Sequence, residues 1–383
     1  MSPCRVSPPT PLGATLLTLA ALAAAAAAAP APCLPLLPRG GLLVGASYSR
    51  PADAAAGNRT DALFAEIVAR GGRLVQLSLP WADVEPVPKQ PNYVLVAEIL
   101  ASARAAGLVP LFQLAAIDTE HASVPPDLAN PSDPTRLRPG LEWNASELID
   151  RYATVLEVVA PLAAFSGAPY FGLGNEVSVN LRQRPETAFA FAEFAFTMRK
   201  FVQQLTSPDL SVGVTMTVAD LFAFSQTAVP EWASLLFDIA DVVPLTYYAI
   251  DDAFRVVSDR ATVEATFLGA ASVLPAGACL VLQELGMPSG YGNASSVDGG
   301  SQAAQAAFVA DFREVLAKAN SSHEVRAASF YELVDMSDAD CESFARYYNT
   351  SDPAFVEYLC TLGLVRQDGV AKAGFAAFLQ AFL

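Results

Sequence analysis

Leu74-Val-Gln-Leu-Ser-Leu79, then Val94 to Ala106 closed by Gly107, then Val109-Pro-Leu-Phe-Gln-Leu114: an apolar run, an amphipathic stretch and a second apolar run. This is strand, helix, strand. Runs of about six apolar residues without strict alternation suit parallel strands covered on both faces. Upstream, Leu42 to Tyr48 reads as a first strand, and Asn58 to Arg70 as a helix with Leu63, Phe64, Ile67 and Val68 on one face, ended by Gly71-Gly72. Downstream, Asn144 and Glu147 form a capping-box pattern that opens a helix through Tyr152, Leu156 and Val159. Tyr170 to Leu173 is a fourth strand, followed by a helix whose Phe189, Phe191, Phe194, Phe196 and Phe201 read as core packing. Ser211 to Thr217, Asp241 to Thr246, Cys279 to Gln283 and Val325 to Phe330 supply strands five to eight, with helices over Thr262 to Leu274 and Ser301 to Ala319. Eight βα units over residues 42–383 describe a single-domain α/β (β/α)8 TIM barrel. The rival, an open doubly wound sheet, lacks a Gly-rich nucleotide loop after its first strand.

The chain has 383 residues, 53% hydrophobic and 16% charged, with net charge −16. Such an acidic chain is a poor partner for nucleic acid, whose phosphates call for clustered cations. With only two histidines, His121 and His323, most zinc hydrolases and a Ser-His-Asp triad are set aside. No phosphate loop, metal-ligand cluster or strand-end lysine stands out, so neither cofactor nor metal is expected.

Residues 1–30 read as a signal peptide: Arg5, a leucine-rich stretch, the alanine run Ala23 to Ala29, then Pro30. An uncleaved membrane anchor is the rival, but alanine is only weakly hydrophobic. After a short lead-in, 31–41, the barrel begins. The expectation is a secreted protein with no membrane contact after cleavage. Asn58, Asn144, Asn293, Asn320 and Asn349 each open a glycosylation tripeptide in a polar segment. Cys341 and Cys360 flank one polar segment and are expected to pair in an oxidising compartment, whereas Cys279, inside an apolar run, reads as a buried free thiol.

In a TIM barrel the chemistry sits where strands pass into βα loops. Strand 4 ends in Gly172-Leu-Gly-Asn175-Glu176-Val177 and strand 7 in Gln283-Glu284-Leu-Gly286. Three βα units separate the two glutamates, a spacing that places them across the barrel mouth. Facing carboxyls, one protonated to donate to a leaving oxygen and one ionised to attack, are the machinery of glycoside hydrolysis.

These motifs resemble clan A of the glycoside hydrolases, with an Asn-Glu pair ending strand 4 and a Glu ending strand 7. Trp81-Ala-Asp-Val-Glu-Pro86, Leu245-Thr-Tyr-Tyr248 and the segment Gly363 to Lys372 are similar to further segments of that clan. The resemblance implies a retaining β-glycosidase with Glu176 as acid/base, Glu284 as nucleophile, Asn175 bonded to a sugar 2-hydroxyl, and Tyr247 or Tyr248 donating to Glu284. Adjacent strand residues face opposite ways, so one tyrosine alone does so; Tyr248 is preferred, with Tyr247 as a stacking residue. Trp81, Trp143 and Trp232 are candidate sugar platforms. Glu332 or Asp335 is a candidate contact for a sugar hydroxyl, Glu85 reads as structural, and His121, near the strand 3 loop, is expected to be exposed, with a subsite role as the alternative. The chain departs from the clan in carrying Gln76 on strand 2, where an Arg is frequent, and Phe330-Tyr-Glu332 where a Trp often ends strand 8. The expected substrate is a neutral oligo- or polysaccharide. A catalytically silent, glycan-binding barrel is the alternative.

Overall fold

The structure, a computed structural model, describes residues 33–34, 42–47, 54–206, 210–291 and 298–383. The signal segment, the side chain of Asn58 and all of Asn293 lie outside them. Eight barrel strands run in chain order: β1 (Leu43–Ser47), β2 (Leu74–Pro80), β3 (Val109–Ala115), β4 (Tyr170–Gly172), β5 in two pieces (Ser211–Gly213 and Met216–Thr217), β6 (Val243–Tyr248), β7 (Cys279–Gly286) and β8 (Glu324–Phe330). Every pairing between them is parallel, and β1 pairs with both β2 and β8. The first piece of β5 pairs with β4 and the second with β6, so the ring closes through one interrupted strand.

Around the strands lie α1 (Ala54–Ala69), α2 (Tyr93–Ala105), α3 (Ser146–Phe165), α4 (Pro185–Leu205), α5 (Glu231–Ile239), α6 (Arg260–Ala271), α7 (Gln302–Ala319) and α8 (Ala373–Phe382). Several start where a side-chain oxygen satisfies an orphan N–H: Asn92 for α2, Asp259 for α6 and Ser301 for α7. Each such cap contributes about 1 kcal/mol. The capping box expected at Asn144 does not form. Asn144 instead donates to Glu193 on α4 at 2.7 Å, and Glu147 pairs with Arg138. Neighbouring charges compete successfully for both side chains.

Between strands and helices lies the main core, in which Phe191 and Phe194 pack around Trp143 and Tyr152. Phe189 alone of the aromatic run is well exposed, at 42%. A second, smaller cluster of Cys33, Leu34, Leu74, Leu111, Tyr170, Val281 and Ala327 fills the barrel floor. There the free-thiol expectation fails. Cys279 is disulfide-bonded to Cys33, Cα atoms 5.1 Å apart, which staples the lead-in beneath β7. An apolar run marks burial and says nothing about a partner 246 residues away. Cys341 is bonded to Cys360 (Cα–Cα 5.8 Å), joining two helices, Asp338–Tyr347 and Pro353–Cys360, in the β8–α8 connection. Asn144, Asn320 and Asn349 are exposed. No helix among the described residues is long and apolar enough to cross a membrane.

Candidate active site

Past their ends, β3 and β4 stay zipped together. Asn175 N–H donates to Ile117 O at 2.8 Å and Thr119 N–H to Asn175 O at 2.9 Å, which sets Asp118-Thr119 beside Asn175-Glu176. Glu176 is the N-cap of a short helix, Val177–Gln183, and sits in the left-handed region at φ 45°, as does Thr119 at φ 53°. Left-handed backbone costs a non-glycine residue about 1 kcal/mol or more, and it persists where surrounding contacts hold it. Here both glutamate oxygens are held: Oε1 accepts from Thr246 Oγ1 at 2.6 Å and Oε2 from Thr119 Oγ1 at 2.9 Å.

Thr246 ties this corner to the other glutamate. It lies on β6 in register with Glu284 on β7. The register shifts at Gln283, a bulge that re-aims the strand. As a result two consecutive residues face inward: Gln283 reaches Thr215 at 3.3 Å, and Glu284 Oε2 accepts from Tyr248 Oη at 2.6 Å. Gly286 has no room for a side chain; a Cβ there would lie 2.7 Å from Tyr331 O and 3.1 Å from the Tyr248 ring.

Electrostatics follow from burial. Glu284 is 6% exposed and Glu176 keeps more of its surface open. Burial, and next the charge of Glu176, push the Glu284 carboxyl well above the ordinary range, against the Tyr248 hydrogen bond. Burial also raises Glu176, opposed by its Thr246 and Thr119 bonds. Asp118 is a third raised carboxyl, again through burial, although Asn175 Nδ2 and Tyr347 Oη donate to it, each at 3.1 Å. Burial keeps the Tyr248 phenol protonated, hence a constant donor.

The two helices of the β8–α8 connection reach over the mouth. Tyr347 bonds Asp118, and Tyr348 lies 3.3 Å from Thr119 Oγ1, whose proton goes to Glu176. Tyr331, Tyr248 and Tyr358 complete an aromatic wall. The Cys341–Cys360 bond braces this cover. A Cys341→Ser/Cys360→Ser double variant is expected to lose roughly 3 kcal/mol and to become cleavable by protease between residues 338 and 360. Intact resistance there would separate the bridge from the cover.

Several expected site residues lie elsewhere. Trp81 is no sugar platform: it is fully buried, its Nε1 donating to Glu85 Oε2 at 3.0 Å and its ring packed edge-on against Tyr152. Trp143 and Trp232 are buried too. Tyr247 is not a stacking residue; alternation turns it outward onto Phe267, Phe308 and Phe312 beneath α6 and α7. Asp335 is engaged by Lys372 Nζ at 2.6 Å. His121 is buried, with its ring 4.1 Å from that of Tyr347. Glu85 is structural, paired with Arg151. Reading the sequence missed Asp118, Thr119, Thr246, Tyr347 and Tyr348. Asp118 follows a strand-3 run just as Asn175 follows strand 4, so strand-end position was a usable signal; the insert tyrosines carry none.

No protein-family model matches the chain, and no curated protein matches it in sequence. Solved structures do match in shape. An exo-β-1,4-mannosidase from Opitutaceae bacterium strain TAV5 superposes with TM-score 0.64 at 15% identity, over 88% of this chain and 58% of that one. A GH5_18 protein from Streptomyces cattleya in complex with GlcNAc gives 0.63 at 14%, over 89% and 79%. In fold, the chain resembles clan A glycoside hydrolases. A fungal β-1,4-galactanase adds a TM-score of 0.57 at 12% identity, over 89% of this chain and 100% of that one. The shared feature is the TIM barrel, which puts residues ending β4 and β7 on one mouth. The chain spans 58% of the length of the mannosidase.

Proposed function

We propose that this protein is a secreted retaining β-glycosidase acting on a neutral oligo- or polysaccharide. One observation carries the reading. Glu176 is hydrogen-bonded to Thr246, and Thr246 is the register partner of Glu284. Thr246 thus links Glu176 to the strand beside Glu284, and the charge of Glu176 is felt at Glu284, the adjacency that a double displacement requires.

In this mechanism Glu284 attacks the anomeric carbon as a carboxylate while Glu176 protonates the leaving oxygen. Water, deprotonated by Glu176, then releases the glycosyl-enzyme. Tyr248 favours the ionised form of Glu284. Thr119 and Thr246 hydroxyls accept as readily as they donate, so they accommodate a protonated Glu176. Asn175 Oδ1 is buried without a partner while its Nδ2 donates to Asp118, leaving an acceptor for the sugar 2-hydroxyl. Two disulfides and the exposed Asn144, Asn320 and Asn349 support the secretory route.

Aryl β-glycosides and plant or algal polysaccharides, read out by product profile, test the proposal. Turnover of none of them, with retained glycan binding, would favour the silent barrel, a reading prompted by the tyrosine cover. The pH profile is a second check. Both carboxyls are raised, chiefly by burial, and they share one site, so their protons leave in two steps that belong to the pair rather than to either residue. The bell in kcat/KM is expected to have both limbs above pH ~4.3, the unperturbed Glu value. An acid limb below pH 4 would contradict it.

A further inference from the structure

Two consecutive residues of the β8–α8 connection meet two consecutive residues past the end of β3. Tyr347 Oη donates to Asp118 Oδ2 at 3.1 Å, and Tyr348 Oη lies 3.3 Å from Thr119 Oγ1. The second contact leads on to Glu176, because Thr119 Oγ1 donates to Glu176 Oε2 at 2.9 Å. A hydroxyl has one proton to give. Thr119 gives its own to the carboxylate, so Tyr348 is the donor to Thr119. The result is a directed chain from Tyr348 through Thr119 to Glu176.

Each link is held in place. Thr119 sits at φ 53°, with its N–H bonded to Asn175 O at 2.9 Å. The Tyr348 ring packs edge-on against Phe355, centroids 5.3 Å apart, and against Tyr347 at 5.0 Å. Burial, and next the charges of Asp118 and Glu176, keep its phenol protonated, so the proton it donates is always present. A hydrogen bond to a carboxylate strengthens as the carboxylate gains charge, and a hydroxyl that itself accepts a bond is the better donor. Glu176 gains charge when it hands its proton to a leaving oxygen. The chain on Oε2 is therefore strongest in that step, and the proton of the acid form belongs on Oε1, against Thr246.

We propose that Tyr348 is a positioning residue for the acid/base: through Thr119 it holds the Glu176 carboxylate and strengthens Glu176 as the acid that protonates the leaving oxygen. The β8–α8 connection then completes the site as well as covering it. The consequence for turnover rests on the proposed function; the effect on the Glu176 carboxyl does not.

A double-mutant cycle between Tyr348→Phe and Thr119→Val tests this on aryl β-glycosides whose leaving groups run from dinitrophenol to phenol. On the phenyl glycoside, Thr119→Val is expected to lower kcat/KM about tenfold or more, as for a lost hydrogen bond to a charged group. Tyr348→Phe should lower it roughly threefold, since it acts at one remove. Both losses should vanish on the dinitrophenyl glycoside, which departs without a proton. With Thr119→Val in place, Tyr348→Phe should cost nothing further, because its route to Glu176 is gone. Thr119→Ser should recover most of the Thr119→Val loss. Equal losses on every leaving group, or additive losses in the double variant, would reduce Tyr348 to a packing role and overturn the proposal.

A second readout needs no turnover. In a Glu284→Gln background the coupling between the two carboxyls is removed, and the isotope-labelled Glu176 carboxyl can be followed by NMR through its own titration. Thr119→Val should raise its midpoint by about one pH unit. Tyr348→Phe should raise it less, and not at all once Thr119→Val is present. A midpoint indifferent to Tyr348→Phe overturns the proposal. If Thr119→Val loses its native near-UV spectrum, Tyr348→Phe alone decides, on the leaving-group series and on the titration. A chain whose Glu176 midpoint answers to Tyr348→Phe but which hydrolyses no glycoside sinks the proposed function and leaves the positioning role standing. A hydrolase whose Glu176 ignores Tyr348→Phe does the reverse.

Discussion

Glu284→Gln is expected to lower turnover by at least ~10⁴-fold on every substrate, since groups that form a covalent intermediate act as a unit with their partners. The same variant should be no less stable than the parent, and more stable as pH rises. The sign follows from burial. A carboxyl whose folded pKa is raised contributes stability that is full below its unfolded pKa and is lost as pH climbs through the folded value. Glutamine has no proton to lose, so the difference in Tm between variant and parent should widen from pH 5 to pH 8. Azide then separates the two glutamates. On an activated aryl β-glycoside, Glu176→Ala with azide should yield a β-glycosyl azide, because the double displacement is intact and the leaving group needs no proton. Glu284→Ala with azide should yield the α-product, azide entering through the vacated nucleophile space. The opposite pair of products would reverse the roles. Wild-type activity in both variants would move the site elsewhere.

Arg151→Met is the substitution expected to damage the fold most, by about 3–5 kcal/mol. Arg151 is a helix α3 residue whose Nε donates to Glu85 Oε1 at 2.6 Å and whose Nη1 donates to Asp127 Oδ2 at 2.9 Å. Glu85 has no exposed surface and also accepts from Trp81 Nε1 and Lys89 N–H. Removing the guanidinium strands a buried carboxylate at the junction of the β2 loop with α3. Denaturant melts should show the midpoint fall with little change in m-value. Replacing Glu85 by Gln as well should recover part of the loss, because the stranded charge is then gone. If the double variant is no more stable than Arg151→Met, lost packing rather than an unpaired charge accounts for the damage.

The tyrosine cover bears on how the mouth opens. Tyr347 and Tyr348 contact Asp118 and Thr119, the residues flanking the glutamate pair. Tyr347→Phe removes one donor from a buried carboxyl whose pKa burial already raises. Asp118 then keeps its proton to higher pH and presents less charge to the glutamate pair, so the acid limb of the activity profile is expected to move downward while the fold stays intact. A limb that stays where it was would place Asp118 outside the titrating set.

Hydrophobic runs of strand length, separated by amphipathic stretches with glycine stops, were enough to specify a parallel barrel, because burial of both sheet faces imposes that pattern residue by residue. Strand-end position singled out Glu176 and Glu284 as candidates, and alternation allowed only one of Tyr247 and Tyr248 to face inward; in the structure that one is Tyr248, which bonds Glu284. What local pattern could not carry was long-range partnership. Cys279 finds Cys33 and Thr246 finds Glu176 through barrel closure. Bulge placement at Gln283 breaks the alternation that a strand reading assumes. Trp81 sits in a motif that invites a sugar, yet packing turns its ring onto Tyr152 and its N–H onto Glu85. Tyr347 and Tyr348 lie on an insert whose position over the mouth depends on the Cys341–Cys360 bond and the barrel beneath it. Periodicity is a local property of the chain and survives in one dimension. Which side chain meets which across the barrel is a property of closure, and only the closed ring decides it.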